Sequence, residues 1–280
     1  MPQQQVIIIT GASDGIGTAA ARQLAARDEK VILVGRSPDK TAAVARTLNA
    51  PYFTADFADL AQVRDLAGKL QEACPRIDVL ANNAGGIMGN RELTADGFEK
   101  TFQVNHLAPF LLTLTLMPIL TASGAKVIQT ASLAAKTFGR MDIDDLQNEK
   151  AYAPQKAYGD AKLANILFTR ELHRRYHGQG IAAAAFHPGV VGSNFASDTT
   201  HFMRHFYHTP VVKSLVTISP DKGADQLTWL AEGTPGTTWQ PGEYYEKRKP
   251  APSCAQARDP ELARQFWDRS AALLSITSDG

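Results

Sequence analysis

Short β-branched runs alternate with amphipathic stretches along most of the chain. Runs of strand character lie at 5–10, 30–35, 51–54, 77–81, 125–131 and 180–187, with a shorter one at 242–246. Apolar residues at helical spacing fill 15–27, 38–48, 59–72, 98–121, 151–177, 219–232 and 259–274. Several strands are nearly unbroken Val and Ile, as expected where helices cover both faces of a sheet. The repeated strand–helix unit predicts an α/β fold, an open doubly wound parallel sheet with right-handed crossovers. No internal repeat or Pro/Gly/Ser-rich linker divides the chain, so 1–280 reads as one domain. Two stretches break the rhythm, 133–151 and 193–218. Ligands of open α/β sheets bind beyond the carboxyl ends of the strands, so both stretches fall where a substrate sits.

Composition narrows this picture. The 280 residues are 44% hydrophobic and 20% charged, with a formal net charge of +1. Nothing there builds a nucleic-acid or acidic-membrane surface. Cys74 and Cys254 are too few for a disulfide scaffold or a zinc site, and both read as reduced thiols. The most apolar run, 107–120, contains Pro109 and Pro118 and falls short of the roughly 18–20 residues needed to cross a bilayer. It reads as a buried core helix. The chain enters its first strand, Val6 to Ile9, without a basic, then apolar, leader. A cytoplasmic location is expected.

The first candidate chemistry is the run T-G-A-S-D-G-I-G at 10–17, between a strand and a helix. Gly11 permits a tight turn, Gly15 lets the backbone approach a pyrophosphate, and Gly17 lets helix and strand pack closely. Ser13, Asp14 and Ile16 complete a loop whose helix N-terminus presents unpaired N–H groups to phosphates. The strand–turn–helix context makes this a dinucleotide site. NAD-binding folds place a carboxylate at the end of the second strand to hold the ribose 2′-OH. Gly35 and Arg36 stand there instead, and a guanidinium suits a 2′-phosphate, so NADP(H) is the expected cofactor. Asp14, which adds no positive charge near the ribose, argues mildly the other way. Asp56 follows the third strand, where it suits the adenine edge. Asn82, Asn83, Ala84 and Gly85 close the fourth, where small residues leave room for adenosine.

The second is Tyr158-Gly-Asp-Ala-Lys162, within a helical pattern. Spacing i, i+4 puts phenol and ammonium on one face, one turn apart. A free tyrosine has a pKa near 10, and an adjacent ammonium lowers it toward useful proton transfer. Ser132 ends the fifth strand, where its hydroxyl can donate to a substrate carbonyl. Asn105, early in the fourth helical segment (98–121), can extend a water-borne proton path toward Lys162. Taken singly each motif is weak; their order along the chain gives them weight.

Glycine loop, N-N-A-G, helix Asn, strand-end Ser, Y-x-x-x-K and a later Pro-Gly together resemble the short-chain dehydrogenase/reductase superfamily over nearly the whole chain. The resemblance implies a seven-stranded Rossmann sheet, a catalytic tetrad of Asn105, Ser132, Tyr158 and Lys162, and a nicotinamide loop at Pro188, Gly189, Val191 and Ser193. Tyr158 and Lys162 then also touch the cofactor. Ala131 stands where many members have a second serine, and Ser193 where many have threonine. Stretches 105–113, 162–168 and 255–258 resemble the retinol-dehydrogenase branch, as does the long gap of 25 residues between Ser132 and Tyr158.

The segment 193–218 is aromatic- and histidine-rich, and reads as a substrate lid with Phe202, Phe206 and Tyr207 forming an apolar wall. His201 and His205 stand i, i+4, but no acidic residue accompanies them in metal-ligand order, so no metal is expected. His106, His173, His177 and His187 read as structural or exposed. The sequence as a whole predicts hydride transfer between NADP(H) and the carbonyl or alcohol of a hydrophobic or cyclic small molecule. An NAD-linked alcohol dehydrogenase and a non-catalytic dinucleotide sensor are the competing readings. Oligomeric state stays open.

Overall fold

The computed structural model describes residues 4–189 and 218–276. Its sheet is ordered β3-β2-β1-β4-β5-β6-β7-β8. The strands are β1 (Val6–Thr10), β2 (Lys30–Gly35), β3 (Tyr52–Thr54), β4 (Val79–Asn82), β5 (Lys126–Thr130), β6 (Ala182–His187), β7 (Tyr244–Glu246) and β8 (Lys249–Pro250). The first seven are parallel, and the two-residue β8 folds back antiparallel on β7. The seven expected strands thus carry one short addition. Its turn places Lys247 and Arg248 at φ of 50° and 62°, as a two-residue hairpin with the right-handed strand twist requires.

Strand periodicity divides the core in two. On β1, Ile8 joins one apolar cluster while Ile7 and Ile9 join the other. Ile32 and Val34 on β2 side with Ile8, while Val31 and Leu33 side with Ile7. Helices α1 (Gly15–Ala25), α2 (Pro38–Leu48) and α9 (Pro220–Glu232) cover the Ile7 face. Helices α3 (Leu60–Ala73), α8 (Pro154–Tyr176) and α10 (Pro260–Leu273) cover the other, with the helical segment 100–123. Ala182 to Ala185 of β6 are all buried, and their small side chains let helices approach the sheet closely. Helix starts follow local chemistry. Ser37, Asp59, Ser219 and Asp259 each accept a backbone N–H from the first turn of α2, α3, α9 and α10. Three of these helices have proline in the first turn.

The helix expected over 98–121 is broken. It runs as α4 (Lys100–Phe102), a π-helical turn (Gln103–Leu107), α5 (Ala108–Thr115) and α6 (Met117–Ser123), with a 64° bend before α6. Pro109 and Pro118 have no N–H to donate, which removes two α-helical hydrogen bonds. Among the described residues no single helix is long and apolar enough to cross a membrane.

The irregular stretch after β5 holds one short helix, α7 (Ala134–Thr137), and then docks onto α8. The contact is close because both partners are glycine. A Cβ on Gly159 would lie 2.7 Å from the Gly139 nitrogen. Arg140 N–H donates to Asp160 at 2.7 Å. Gln256 clamps Met141 with two hydrogen bonds of 3.0 and 2.8 Å. The order in which the chain adds strands reverses between β1 and β4, which opens a crevice above their carboxyl ends.

Candidate active site

The phosphate end of the crevice is made of backbone. Gly11 and Gly15 have φ of +67° and +54°, where an L side chain is strained. A Cβ on Gly17 would lie 2.2 Å from the Gly11 carbonyl oxygen, so the first turn of α1 packs directly against the loop. Gly17 stands behind the cleft wall. Gly11, Ser13, Asp14, Gly15 and Ile16 line a cleft of about 610 Å³ that continues past Arg36, Asp56, Asn83, Ala84 and Gly85 to Ser132, Tyr158 and Lys162. Asp14 caps α1 by accepting the Gly15 N–H at 2.7 Å. Asn83 braces three strands: its amide donates to the Thr10 carbonyl at 3.0 Å, and its side-chain oxygen accepts from Thr130 at 3.3 Å. Asp56 closes its own turn by accepting the Ala58 N–H at 2.9 Å.

The second strand ends in a position with no room for a side chain. A Cβ on Gly35 would lie 2.2 Å from Thr41 Oγ1, and that hydroxyl is fixed by a 2.6 Å bond to the Ser37 carbonyl. No carboxylate fits there. Arg36, Ser37 and Lys40 line this end of the cleft instead.

The catalytic end gathers the other predicted residues. Tyr158 and Lys162 are buried on one face of α8, with Nζ 5.5 Å from the centre of the Tyr158 ring. Lys162 donates to the Thr130 carbonyl at 3.1 Å, an oxygen it shares with Asn165 at 3.2 Å. Burial brings the Lys162 pKa down from its ordinary 10.5 to about 7. Ser132 Oγ accepts the Ala134 N–H at 3.2 Å, so the start of α7 orients the hydroxyl. Asn105 is fully buried in the π-helical turn. Its amide spans Gly86, accepting the N–H at 3.1 Å and donating to the carbonyl at 2.9 Å. A Cβ on Gly85 would lie 2.4 Å from Asn105 Oδ1 and 3.1 Å from Lys162 Nζ, so a bare glycine lets the two converge. The residue four after Asn105 is Pro109, so its carbonyl has no α-helical donor. Such π-turns are frequent at functional sites.

A family model for short chain dehydrogenases matches residues 5–203. The chain belongs to the short-chain dehydrogenase/reductase family. A Streptomyces sp. (strain C5) protein named "Putative daunorubicin C-13 ketoreductase DnrU" is 41% identical over 281 residues, which span 98% of this chain and 94% of the relative. Human retinol dehydrogenase 13 is 36% identical over 284 residues, spanning 97% and 85%. These relatives put the chain in the retinol-dehydrogenase-like branch, among oxidoreductases acting on CH–OH or C=O groups. The crystal structure of an uncharacterized Mycobacterium paratuberculosis protein superposes with a TM-score of 0.77 at 32% identity, over 98% of this chain and 94% of that one. The Pseudomonas aeruginosa RhlG/NADP complex gives 0.67 at 25%, over 86% and 93%.

In this short-chain dehydrogenase the described loop residues, the four tetrad candidates, Pro188 and Gly189 come together as the sequence placed them, Gly17 and Asn105 from behind the wall. Val191, Ser193, the lid aromatics Phe202, Phe206 and Tyr207, and the His201–His205 pair lie outside the described residues. Several contributors escaped sequence reasoning. Lys40 gave a signal in its place one turn into α2, close after Arg36. Glu99 gave none: a buried carboxylate, it accepts the N–H groups of Thr101 at 2.8 Å and Phe102 at 2.7 Å and so starts the helical run that carries Asn105. Desolvation pushes its pKa up, against the pull of those N–H groups. His106 is structural, packed among Phe102, Phe110, Phe168 and Phe266, and burial takes its pKa down to about 3. His187, by contrast, lines the cleft.

Proposed function

We propose that this enzyme is an NADP(H)-dependent carbonyl reductase for extended apolar substrates, with Tyr158 as acid/base. The observation that carries this is Lys162, buried beside Tyr158 in a cleft that Ser132 also lines. The residues present fit a pyridine dinucleotide. The glycine cradle of Gly11 and Gly15 at the start of α1 suits a pyrophosphate, Ala84 and Gly85 leave space along the wall, and Pro188 and Gly189 close the far end. When bound, the cofactor supplies or accepts the hydride. Exclusion of a side chain at Gly35, with Arg36 and Lys40 on the wall, supports a 2′-phosphate and hence NADP(H) over NAD(H).

In reduction, Ser132 donates to the carbonyl oxygen and Tyr158 delivers the proton to it. Lys162 lowers the cost of the resulting phenolate. The Asn105 backbone carbonyl, which Pro109 leaves without an α-helical donor, would hold a water that returns the proton toward Lys162. Oxidation of the alcohol runs these steps in reverse. Around the reacting position the wall is apolar: Ile87, Met88 and Ala134 are joined by Leu133 and Phe138, which remain 44% and 47% exposed. Exposed apolar side chains at a cleft mouth suit a large hydrophobic ligand. Daunorubicin and retinol, named for two relatives, are both of that kind. The free thiols Cys74 and Cys254 favour a cytosolic setting.

The test is NADPH and NADH oxidation with benzaldehyde, 1-tetralone, phenanthrenequinone, all-trans-retinal and daunorubicin. Turnover with NADPH that falls away with NADH and in Tyr158→Phe is the expected result. Tight cofactor binding without turnover of any of the five favours a dinucleotide sensor, and an NADH preference overturns the cofactor assignment.

A further inference from the structure

Two loops must keep their relative position for the proposed chemistry. One follows β5 and carries Ser132; the other follows β6 and carries Pro188 and Gly189. A single side-chain atom joins them. His187 Nδ1 accepts the Leu133 N–H at 3.3 Å and the Gly189 N–H at 3.4 Å. The ring is 6% exposed and lines the cleft.

We propose that His187 is a positioning residue, whose neutral imidazole clamps the Ser132 loop to the nicotinamide loop through Nδ1. The inference rests on the reading of Ser132 as the carbonyl's hydrogen-bond donor. Its first support is that Nδ1 faces two backbone donors, so it must carry a lone pair. The neutral ring then holds its proton on Nε2. Burial agrees, since it lowers the pKa of this histidine, with Glu246 opposing and Lys247 assisting. A second support is local geometry. The bond to Gly189 runs from a δ atom to the N–H two residues on, the pattern asparagine makes in an Asx-turn. Gly189 accommodates the turn with φ of +95°. A third is what the clamp reaches. Leu133 lies between Ser132 and Ala134, the residue whose N–H orients Ser132 Oγ. Displacing Leu133 therefore moves the hydroxyl that meets the carbonyl. His187 itself need touch neither substrate nor cofactor.

This geometry makes side-chain reach decisive. Asparagine puts its oxygen at the δ position and reproduces both acceptor contacts. Glutamine carries the same amide one methylene too far, and leucine has no acceptor. With 1-tetralone, or whichever of the five carbonyls turns over fastest, His187→Asn is expected to keep kcat within about threefold of wild type. His187→Gln and His187→Leu lose about 10–100-fold in kcat, as small misplacements of catalytic groups do. The same two variants weaken NADPH binding, read by quenching of protein fluorescence, while KM for the carbonyl changes little. In a Ser132→Ala background the kcat effect of His187→Gln shrinks to about twofold, because both changes act through one hydroxyl. Equal kcat in the Asn, Gln and Leu variants overturns the clamp. So does a His187→Gln effect that is undiminished in Ser132→Ala. Should the leucine variant fail to fold, the Asn/Gln pair decides alone, since the two carry the same group at different reach. Wild-type kcat in Ser132→Ala itself is a different failure, which removes the reading of Ser132 on which the clamp rests.

Discussion

Lys126 and Lys162 lie toward opposite ends of the sheet, the first half-buried on β5 and the second buried on α8, and are treated very differently. Lys126, at the amino end of β5, donates to the Gln5 side chain at 2.7 Å and to the carbonyls of Ala231 and Gly233 at the end of α9. Burial pushes its pKa down, but Asp78, Glu29 and Glu232 push back. Lys162, at the carboxyl end, has the Thr130 carbonyl and, among the described residues, no carboxylate acting on it, and burial takes its pKa to about 7. A cation supplied with carbonyls and carboxylates holds structure together. One left short of them is ready for the hydroxyls of a ribose and the charge of a phenolate.

The largest expected contrast comes from removing each ammonium. Lys162→Met should lower kcat by about 10²–10⁴-fold, the usual range for lost acid–base assistance, with folding retained. Lys126→Met should leave kcat near wild type and cost about 1–3 kcal/mol in stability, read by denaturant unfolding. Equal effects on kcat would break the comparison. Next in size is the 2′-phosphate contact. Arg36→Ala should raise KM for NADPH about 10–100-fold, the worth of a charge-assisted hydrogen bond, and leave KM for NADH unchanged.

A smaller effect is set by linkage. The folded pKa of Lys162 lies below its unfolded value, so the unfolded chain binds more protons between about pH 7 and 10.5. The buried charge therefore costs stability fully below pH 7, and that cost is relieved as pH rises through this window. The cofactor-free wild type should gain stability relative to Lys162→Met from pH 7 to 10. A difference that stays flat with pH places the ammonium's pKa near its ordinary value. The smallest change expected is in Gly159→Ala. Its Cβ must push back Gly139, 2.7 Å away, and so shift the segment after α7. KM for daunorubicin should change more than KM for benzaldehyde, which reaches less of the mouth.

The two ends of the cleft also differ in how far the sequence revealed them. The phosphate loop is local: Gly11 to Gly17 form one turn between one strand and one helix, and their spacing states the geometry. Tyr158 and Lys162 are legible for the same reason, lying one turn apart on α8. Asn105 was located but its surroundings were not, because Pro109 and Pro118 break into four pieces a segment whose apolar pattern reads as one helix. Asn83 reads as a cofactor contact, yet its amide ties β1 to β4 and β5, a long-range role that no local pattern encodes. The shared acceptor on His187 was invisible too. It pairs two backbone amides, which carry no side-chain signature, and one of them is more than fifty residues away. The clamp of Gln256 on Met141 gives a physical use to the 255–258 stretch that sequence identified only by resemblance.

The most direct test is a single turnover. Tyr158→Phe, loaded with one equivalent of NADPH and mixed with the best carbonyl of the five, is followed by the loss of NADPH absorbance beside wild type. The account predicts that the variant binds NADPH with near wild-type affinity and oxidises it about 10²–10⁴-fold more slowly. NADPH oxidation at the wild-type rate in Tyr158→Phe would contradict it and move the proton chemistry to another group.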